Sequence, residues 1–169
     1  MKKTFLLLLI FVPVGLFAQK PEALEHFNKA ERLYNAQKYD AAIEEYTKAI
    51  EIDNEYINAY LRRAFCYNVA GKYEEAIKDY DKIIELQPNN IYALNSRGSA
   101  KNKLKKYDEA IKDFNKVLSL DPKNQEAYNN RGWAYEGLGR HKDACNDWKK
   151  SKKLGNSEAA LILKNTHCK

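Results

Sequence analysis

The sequence predicts an all-α protein, a solenoid of four helix-turn-helix repeats followed by a C-terminal capping helix. Two columns of residues recur every 34 positions, and each unit divides into two stretches with helical apolar spacing. The first column contains Ala42, Ala76, Ala110 and Ala144. The second column, four residues later, contains Tyr46, Tyr80, Phe114 and Trp148. A fixed period in this range is typical of solenoids, whose repeats bury their apolar faces by stacking.

The start of the chain has the features of an export signal. Two lysines precede an apolar run over 4–17, and the small residue Ala18 ends it. This order predicts a secretory signal peptide over 1–18, followed by a short lead over 19–22. The run is too short for an ordinary membrane span, so none is expected in the mature chain. An uncleaved anchor helix is the alternative. We therefore expect a bacterial protein that is periplasmic or secreted.

The repeats are predicted over 23–56, 57–90, 91–124 and 125–158, and the capping helix over 159–169. In the second repeat the two helices separate at Gly71, which suits the left-handed residue that ends many helices. Pro88 and Pro122 close the second and third repeats, because proline cannot continue a helix.

Two stretches of the chain resemble a known family. They are AYLRRAFCYNVAGKYEEAIKDYDKIIELQP and AYNNRGWAYEGLGRHKDACNDWKK. The pattern of large, small, aromatic, alanine, aromatic and proline positions resembles the tetratricopeptide repeat (TPR). In the second unit it falls on Tyr60, Ala64, Tyr67, Ala76, Tyr80 and Pro88, and in the fourth on Tyr128, Gly132, Tyr135, Ala144 and Trp148. The resemblance implies a right-handed α-α superhelix (TPR solenoid). It is weak evidence for one particular function, because one fold hosts many.

Basic residues form a further column that is matched by acidic residues sixteen positions later. The basic residues are Lys29, Arg63, Arg97 and Arg131, and the acidic residues are Glu45, Asp79, Asp113 and Asp147. Matched columns of opposite sign predict ion pairs that hold helices of one unit, or of neighbouring units, together. The formal net charge of +6 is spread along the chain. Because nucleic-acid binders usually carry a concentrated basic stripe, no nucleic-acid partner is expected.

The three cysteines have different predicted roles. Cys66 lies among apolar residues and is predicted to be a buried free thiol. Cys145 and Cys168 lie at similar distances on either side of a turn near Asn156, and Ser157 is expected to N-cap the final helix. Two antiparallel helices would place these cysteines opposite one another, which predicts a Cys145–Cys168 disulfide.

No catalytic or metal-binding motif is found in the sequence. A glycine-rich phosphate loop, a Ser–His–Asp order and a CxxC motif are all missing. His141 replaces a tyrosine of the other repeats and is interpreted as a packing residue. His167 and Cys168 are two adjacent residues that make a poor metal site, and the disulfide would use the thiol. We expect no catalytic residue, cofactor or metal; a small enzyme or metal-binding protein is the remaining alternative.

The resemblance also implies that the first helix of each repeat lines a concave groove for a peptide. The groove positions of the family fall on Asn28, Asn58, Arg62, Phe65, Tyr92, Asn95, Asn102, Asn129, Asn130 and Trp133. Amide side chains both donate and accept, which suits a peptide backbone. Tyr92 and Trp133 are candidate anchors, and Arg62 is a candidate partner for a carboxylate. Alternatively, the asparagines only solvate an unused face.

Some members of the family bind chaperone tails with a two-carboxylate clamp, built from Lys and Asn on their first helix. Phe27 and Glu31 occupy those places here, so binding of such a tail is not expected. The predicted function is non-catalytic binding of a protein segment, as an adaptor, scaffold or assembly factor in the cell envelope. The alternative is a structural protein that associates with itself through its convex face or an open end.

Overall fold

The structure is a computed structural model that describes residues 20–166 and 168. In this part of the chain there are nine α-helices and no strands, which confirms the all-α prediction. The helices are α1 (Pro21–Asn35), α2 (Tyr39–Ile52), α3 (Ile57–Val69), α4 (Tyr73–Leu86), α5 (Ile91–Lys103), α6 (Tyr107–Leu120), α7 (Gln125–Gly137), α8 (His141–Lys153) and α9 (Ser157–Asn165). The predicted signal peptide over 1–18 and His167 lie outside the described residues.

The helices form a stack of antiparallel pairs, as the repeat predicts. We call α1, α3, α5 and α7 the A helices, and α2, α4, α6 and α8 the B helices. Each helix packs on its neighbours in sequence, and α5 also contacts α7. Because every pair rests on the next, the array is the right-handed α-α superhelix that was expected.

The core of each repeat is an aromatic ring on the B helix packed against a small residue on the A helix. Tyr46, Tyr80, Phe114 and Trp148 are all at most 1% exposed. A β-carbon on Gly98 would lie 2.7 Å from the ring of Phe114, so only glycine allows this approach. Burial of each large side chain contributes about 1.5–3 kcal/mol, so this column supplies much of the cohesion of the array.

The predicted ion pairs are confirmed at all four positions. Arg63 donates to both carboxylate oxygens of Asp79, at 2.9 and 2.6 Å, and the equivalent pairs are Lys29–Glu45, Arg97–Asp113 and Arg131–Asp147. The third nitrogen of Arg63 donates to Thr47 of the preceding B helix at 2.9 Å. Each arginine of this column therefore links its own repeat to the one before it.

The four A helices end in the same way. The residue two places before each B helix has a positive φ, and the next amide closes a six-residue turn onto the A helix. These residues are Gln37 (59°), Gly71 (73°), Lys105 (61°) and Gly139 (72°). The left-handed conformation predicted for Gly71 is confirmed, and two of the four positions hold it without glycine.

The C-terminal helix occupies the place of the A helix of a fifth repeat. The Asn156 side chain accepts from the Ala159 amide at 2.9 Å, as Asn90 and Asn124 do for the amides of Ala93 and Ala127. The expectation that Ser157 is the N-cap was wrong, because Asn156 has the extended backbone of a cap and Ser157 is already helical.

Cys145 and Cys168 form a disulfide in the structure, and their Cα atoms lie 5.3 Å apart. The predicted geometry was wrong in one respect. The helix α9 ends at Asn165, so Cys168 reaches α8 from the segment that follows the helix. Cys66 is a free thiol and is completely buried, as predicted.

Candidate functional site

Exposed large apolar side chains in the described residues lie on one set of helices. Within residues 20–166 and 168, the exposed large apolar side chains lie on A helices, at their ends or on α9. They are Leu24, Phe65, Val69, Tyr92, Trp133, Leu138 and Leu161. No B helix in this part carries one. Contiguous exposed apolar surface marks interaction sites, so the side formed by α1, α3, α5 and α7, the A-helix face, is the candidate functional site.

The first hollow on this face has a volume of about 570 Å³. It is lined by Phe27, Glu31, Tyr34, Asn58, Leu61, Arg62, Phe65 and Tyr92. Three successive A helices contribute these side chains. The structure thus brings together four residues predicted for the groove, namely Asn58, Arg62, Phe65 and Tyr92.

The charged residues of the first hollow neutralise each other. Arg62 Nε lies 3.2 Å from Glu31 Oε1, and the guanidinium carbon lies 5.4 Å from the centre of the Tyr34 ring. Glu31 also accepts a hydrogen bond from the Tyr46 hydroxyl. Burial raises the pKa of Tyr46 far above its ordinary value, so this hydroxyl remains a donor. Arg62 was predicted to meet a carboxylate of a ligand, but a carboxylate of the protein already pairs with it.

Cys66 belongs to the buried cluster of Ala30, Ala42 and Tyr46, against which Phe27 packs. Burial raises the pKa of this thiol to about 11. Because only a thiolate is a strong nucleophile or metal ligand, Cys66 is inert at neutral pH.

A second hollow of about 410 Å³ lies farther along the same face. It is lined by Ser99, Asn102, Lys103, Tyr107, Asn130, Trp133 and Glu158. Trp133 is 43% exposed and rests edge-on against the buried Trp148, with ring centres 5.2 Å apart. Asn102 donates to the Asn130 carbonyl at 2.8 Å, and its own side-chain oxygen is buried without a partner.

Two of the predicted groove residues have a structural role instead. Asn95 is 8% exposed and Asn129 is 2% exposed. The Asn95 amide donates to Glu126 at 3.4 Å, and the Asn129 amide donates to Glu158 at 2.9 Å. Both therefore bridge one A helix to its successor, or to α9. Their prediction as contacts for a ligand was wrong, because the next helix covers them.

Asn28 is exposed on α1 but lines neither hollow. His141 is also exposed and lies 2.9 Å from Glu136, so its interpretation as a packing residue was wrong. A larger hollow of about 910 Å³ lies at the turns between repeats. It shares the lining residues Asn58 and Leu61 with the first hollow, so the two hollows are adjacent.

Sequence reasoning missed Glu31, Tyr34, Lys103, Tyr107 and Glu158 as lining residues. Tyr34 could have been predicted, because it stands 68 residues (two repeats) before Asn102, which was assigned to a groove position. Glu158 could not have been predicted as a lining residue, since its position on the A-helix face depends on how α9 packs against α7.

The described residues contain no group of three or more His, Cys, Asp or Glu side chains placed to hold a metal ion. No helix in the same part of the chain is long and apolar enough to cross a membrane.

Family models match along nearly all of the described chain. Models described as tetratricopeptide repeat match residues 20–56, 57–90, 79–112 and 125–154, and one described as TPR repeat matches 98–139. No enzyme family is among them. No match to a curated protein was found.

Solved structures share this architecture. MamA (residues 41 to the end) from Desulfovibrio magneticus RS-1 superimposes with a TM-score of 0.77 at 21% identity, over 82% of this chain and 78% of that one. At this identity the likeness shows the fold alone.

Two TPR domains of RPAP3 are more similar in sequence. The first TPR of Spaghetti (RPAP3), bound to the HSP90 peptide SRMEEVD, has a TM-score of 0.67 and 31% identity, over 74% of this chain and 99% of that one. The second TPR domain of human RPAP3, in complex with the HSP70 peptide SGPTIEEVD, has a TM-score of 0.63 and 34% identity, over 67% and 94%. The chain belongs to the tetratricopeptide-repeat family.

Proposed function

We propose that the protein is a non-catalytic interaction module that binds an extended segment of another protein along its A-helix face. The observation that carries this proposal is that the A helices, their ends and α9 hold the exposed large apolar side chains of the described residues, together with the two hollows between the A helices. In the cell it acts as an adaptor, scaffold or assembly factor of the bacterial envelope. The predicted signal peptide supports the location, and fractionation of cells tests it directly.

The chemistry of the face suits a peptide better than a small substrate. Both hollows are open and elongated across several helices, and they combine aromatic side chains with amides that donate and accept. RPAP3 domains of the same family bind peptides, as their solved complexes describe. The described residues offer no constellation for metal chemistry.

Site-specific photo-crosslinking in intact cells tests the proposal. A photoreactive amino acid at Tyr92 or Trp133 is expected to capture one defined partner, because both side chains are exposed on the A-helix face. The same amino acid at Lys112, on the exposed side of α6, is the matched control. Equal capture from all three positions would contradict the assignment of the face.

Self-association is a second candidate function, and the distribution of charge on the B helices favours it. The exposed stripe of charged residues on each B helix has a different formal charge, which is −2 on α2, −3 on α4, 0 on α6 and +5 on α8. These residues are Asp40, Glu44, Lys48 and Glu51 on α2; Glu74, Glu75, Lys78, Asp81 and Glu85 on α4; Asp108, Glu109, Lys112 and Lys116 on α6; and Lys142, Lys149, Lys150, Lys152 and Lys153 on α8. The α8 stripe of one copy is therefore complementary to the α2 stripe of another.

Sedimentation with charge-reversed variants tests this second candidate. Association is expected at low salt and not at high salt, because such contacts are screened. Lys150→Glu with Lys153→Glu, and Glu44→Lys with Glu51→Lys, should each be monomeric, whereas their mixture should associate. If the extent of association did not depend on salt and was the same in both variants, this contact would be ruled out.

A further inference from the structure

We infer that the first hollow selects a bulky apolar side chain, so that the segment bound on the A-helix face is anchored by an aromatic or large aliphatic residue and not by carboxylates. This inference rests on the proposed function and names the class of partner that the face accepts.

The wall of the first hollow is predominantly apolar. Aromatic rings come from α1, α3 and α5, and Leu61 lies between them. Tyr34 and Phe65 meet edge-on, with ring centres 5.6 Å apart, which fixes one side of the hollow. Phe65 and Tyr92 remain 36% and 54% exposed. A ligand side chain inserted between them would remove apolar surface on both partners from water, the usual source of affinity at an anchor site.

The two charged groups of the hollow are already paired with each other, which disfavours a carboxylate. The only cation in its lining, Arg62, pairs with Glu31, and Glu31 also accepts from the Tyr46 hydroxyl. An incoming carboxylate would have to compete with Glu31 for the guanidinium and would meet its negative charge. By contrast, the peptides bound by the two RPAP3 domains, SRMEEVD and SGPTIEEVD, are acidic at their C-terminal ends.

The second hollow offers an aromatic contact and hydrogen-bonding groups to the rest of such a segment. Trp133 offers an exposed ring, and Ser99 and Asn130 line the same hollow with side chains that can hydrogen-bond a peptide backbone. Tyr92 and Lys103 mark the two hollows on the single helix α5, and the rise between them is about 16 Å. About five extended residues span this distance, so the anchor and the backbone contact fit one short segment.

Selection from a displayed library of random 12-residue peptides tests the inference, followed by fluorescence anisotropy of the selected peptides and of SRMEEVD. Selected peptides are expected to share an aromatic or large aliphatic residue, and SRMEEVD is expected to bind at least tenfold more weakly. Phe65→Ser with Tyr92→Ser should weaken the selected peptides at least tenfold. Lys112→Ser with Lys116→Ser changes two exposed side chains of α6, outside both hollows and off the A helices, and is the matched control.

The outcomes separate the inference from the proposed function. The inference would be overturned if the selected peptides were acidic. It would also be overturned if replacing their apolar residue by serine left their affinity unchanged. In both cases binding on the A-helix face would still stand. Peptides that bind the Phe65→Ser, Tyr92→Ser variant and a Trp133→Ser variant as well as wild type would overturn both. Thermal unfolding and circular dichroism confirm that each variant folds, so that lost binding is not lost structure.

Discussion

A β-carbon on Gly132 would lie 2.5 Å from Nε1 of Trp148, closer than any stable contact allows. Trp148 is 1% exposed, and its Nε1 donates to the Asn129 carbonyl at 3.3 Å. The ring is therefore held in place and cannot move away from an added β-carbon. In the second repeat the same pair is Ala64 and Tyr80. In the fourth repeat the smallest A-helix residue is thus paired with the largest ring of the column.

Gly132→Ala is therefore expected to destabilise the protein by about 1–3 kcal/mol, the usual cost of overpacking a core. The double variant Gly132→Ala, Trp148→Tyr reproduces the pair of the second repeat and should recover much of that loss. Chemical unfolding of both variants measures the difference. A Gly132→Ala protein as stable as wild type would show that the array absorbs the extra methyl group elsewhere.

Lys105 ends an A helix with φ of 61°, where two other repeats have glycine. A left-handed conformation costs a residue with a β-carbon about 1–2 kcal/mol, and glycine avoids this cost. Part of the gain is offset, because glycine loses more conformational entropy when the chain folds. Lys105→Gly is thus expected to raise the free energy of unfolding by up to about 1 kcal/mol. Lys103→Gly, two residues earlier and still helical, is the control and should destabilise. Equal effects of the two changes would contradict the role of the turn.

Glu45 is expected to make stability depend on pH. Hydrogen bonds from Lys48, His26 and Lys29 lower the pKa of its carboxyl from 4.5 to about 2. Because the pKa is lower in the folded state, the stabilisation is complete above pH 4.5 and is lost as the pH falls towards 2.

Urea unfolding of wild type and Glu45→Gln between pH 7 and 2.5 measures this effect. The stability difference between the two proteins should be largest near neutral pH and should shrink below pH 4.5. Glu44→Gln, on the exposed side of the same helix, should show no such trend. A difference for Glu45→Gln that stays constant with pH would mean that the carboxyl titrates at its ordinary value.

The Cys145–Cys168 disulfide restrains α9, whose only fully buried residue is Ala159. The bonded residues are 23 positions apart, and closing a loop of that size contributes about 3 kcal/mol. Cys168→Ser should lose roughly this amount and should increase amide exchange in α9. A reducing agent should have the same effect on wild type and none on the variant. Non-reducing peptide mapping that finds both thiols free in the purified protein would refute the bond.

The sequence alone determined the architecture, because a period of 34 residues places equivalent side chains at equivalent points of every repeat. The ion pairs followed for the same reason: Arg63 and Asp79 lie sixteen residues apart in a unit whose geometry is repeated. The disulfide also followed, since the turn near Asn156 brings Cys145 and Cys168 to the same end of the stack.

Only the tertiary structure decided which groove positions are open. Asn95 and Asn129 occupy the same repeat positions as exposed residues in the family, yet Glu126 and Glu158 of the following helices cover and bind them. Arg62 is occupied by Glu31, which belongs to a different repeat. The repeat pattern predicts which residues are buried within one unit. The exposure of the A-helix face depends instead on how closely successive units approach each other. That distance is set by packing across the whole stack.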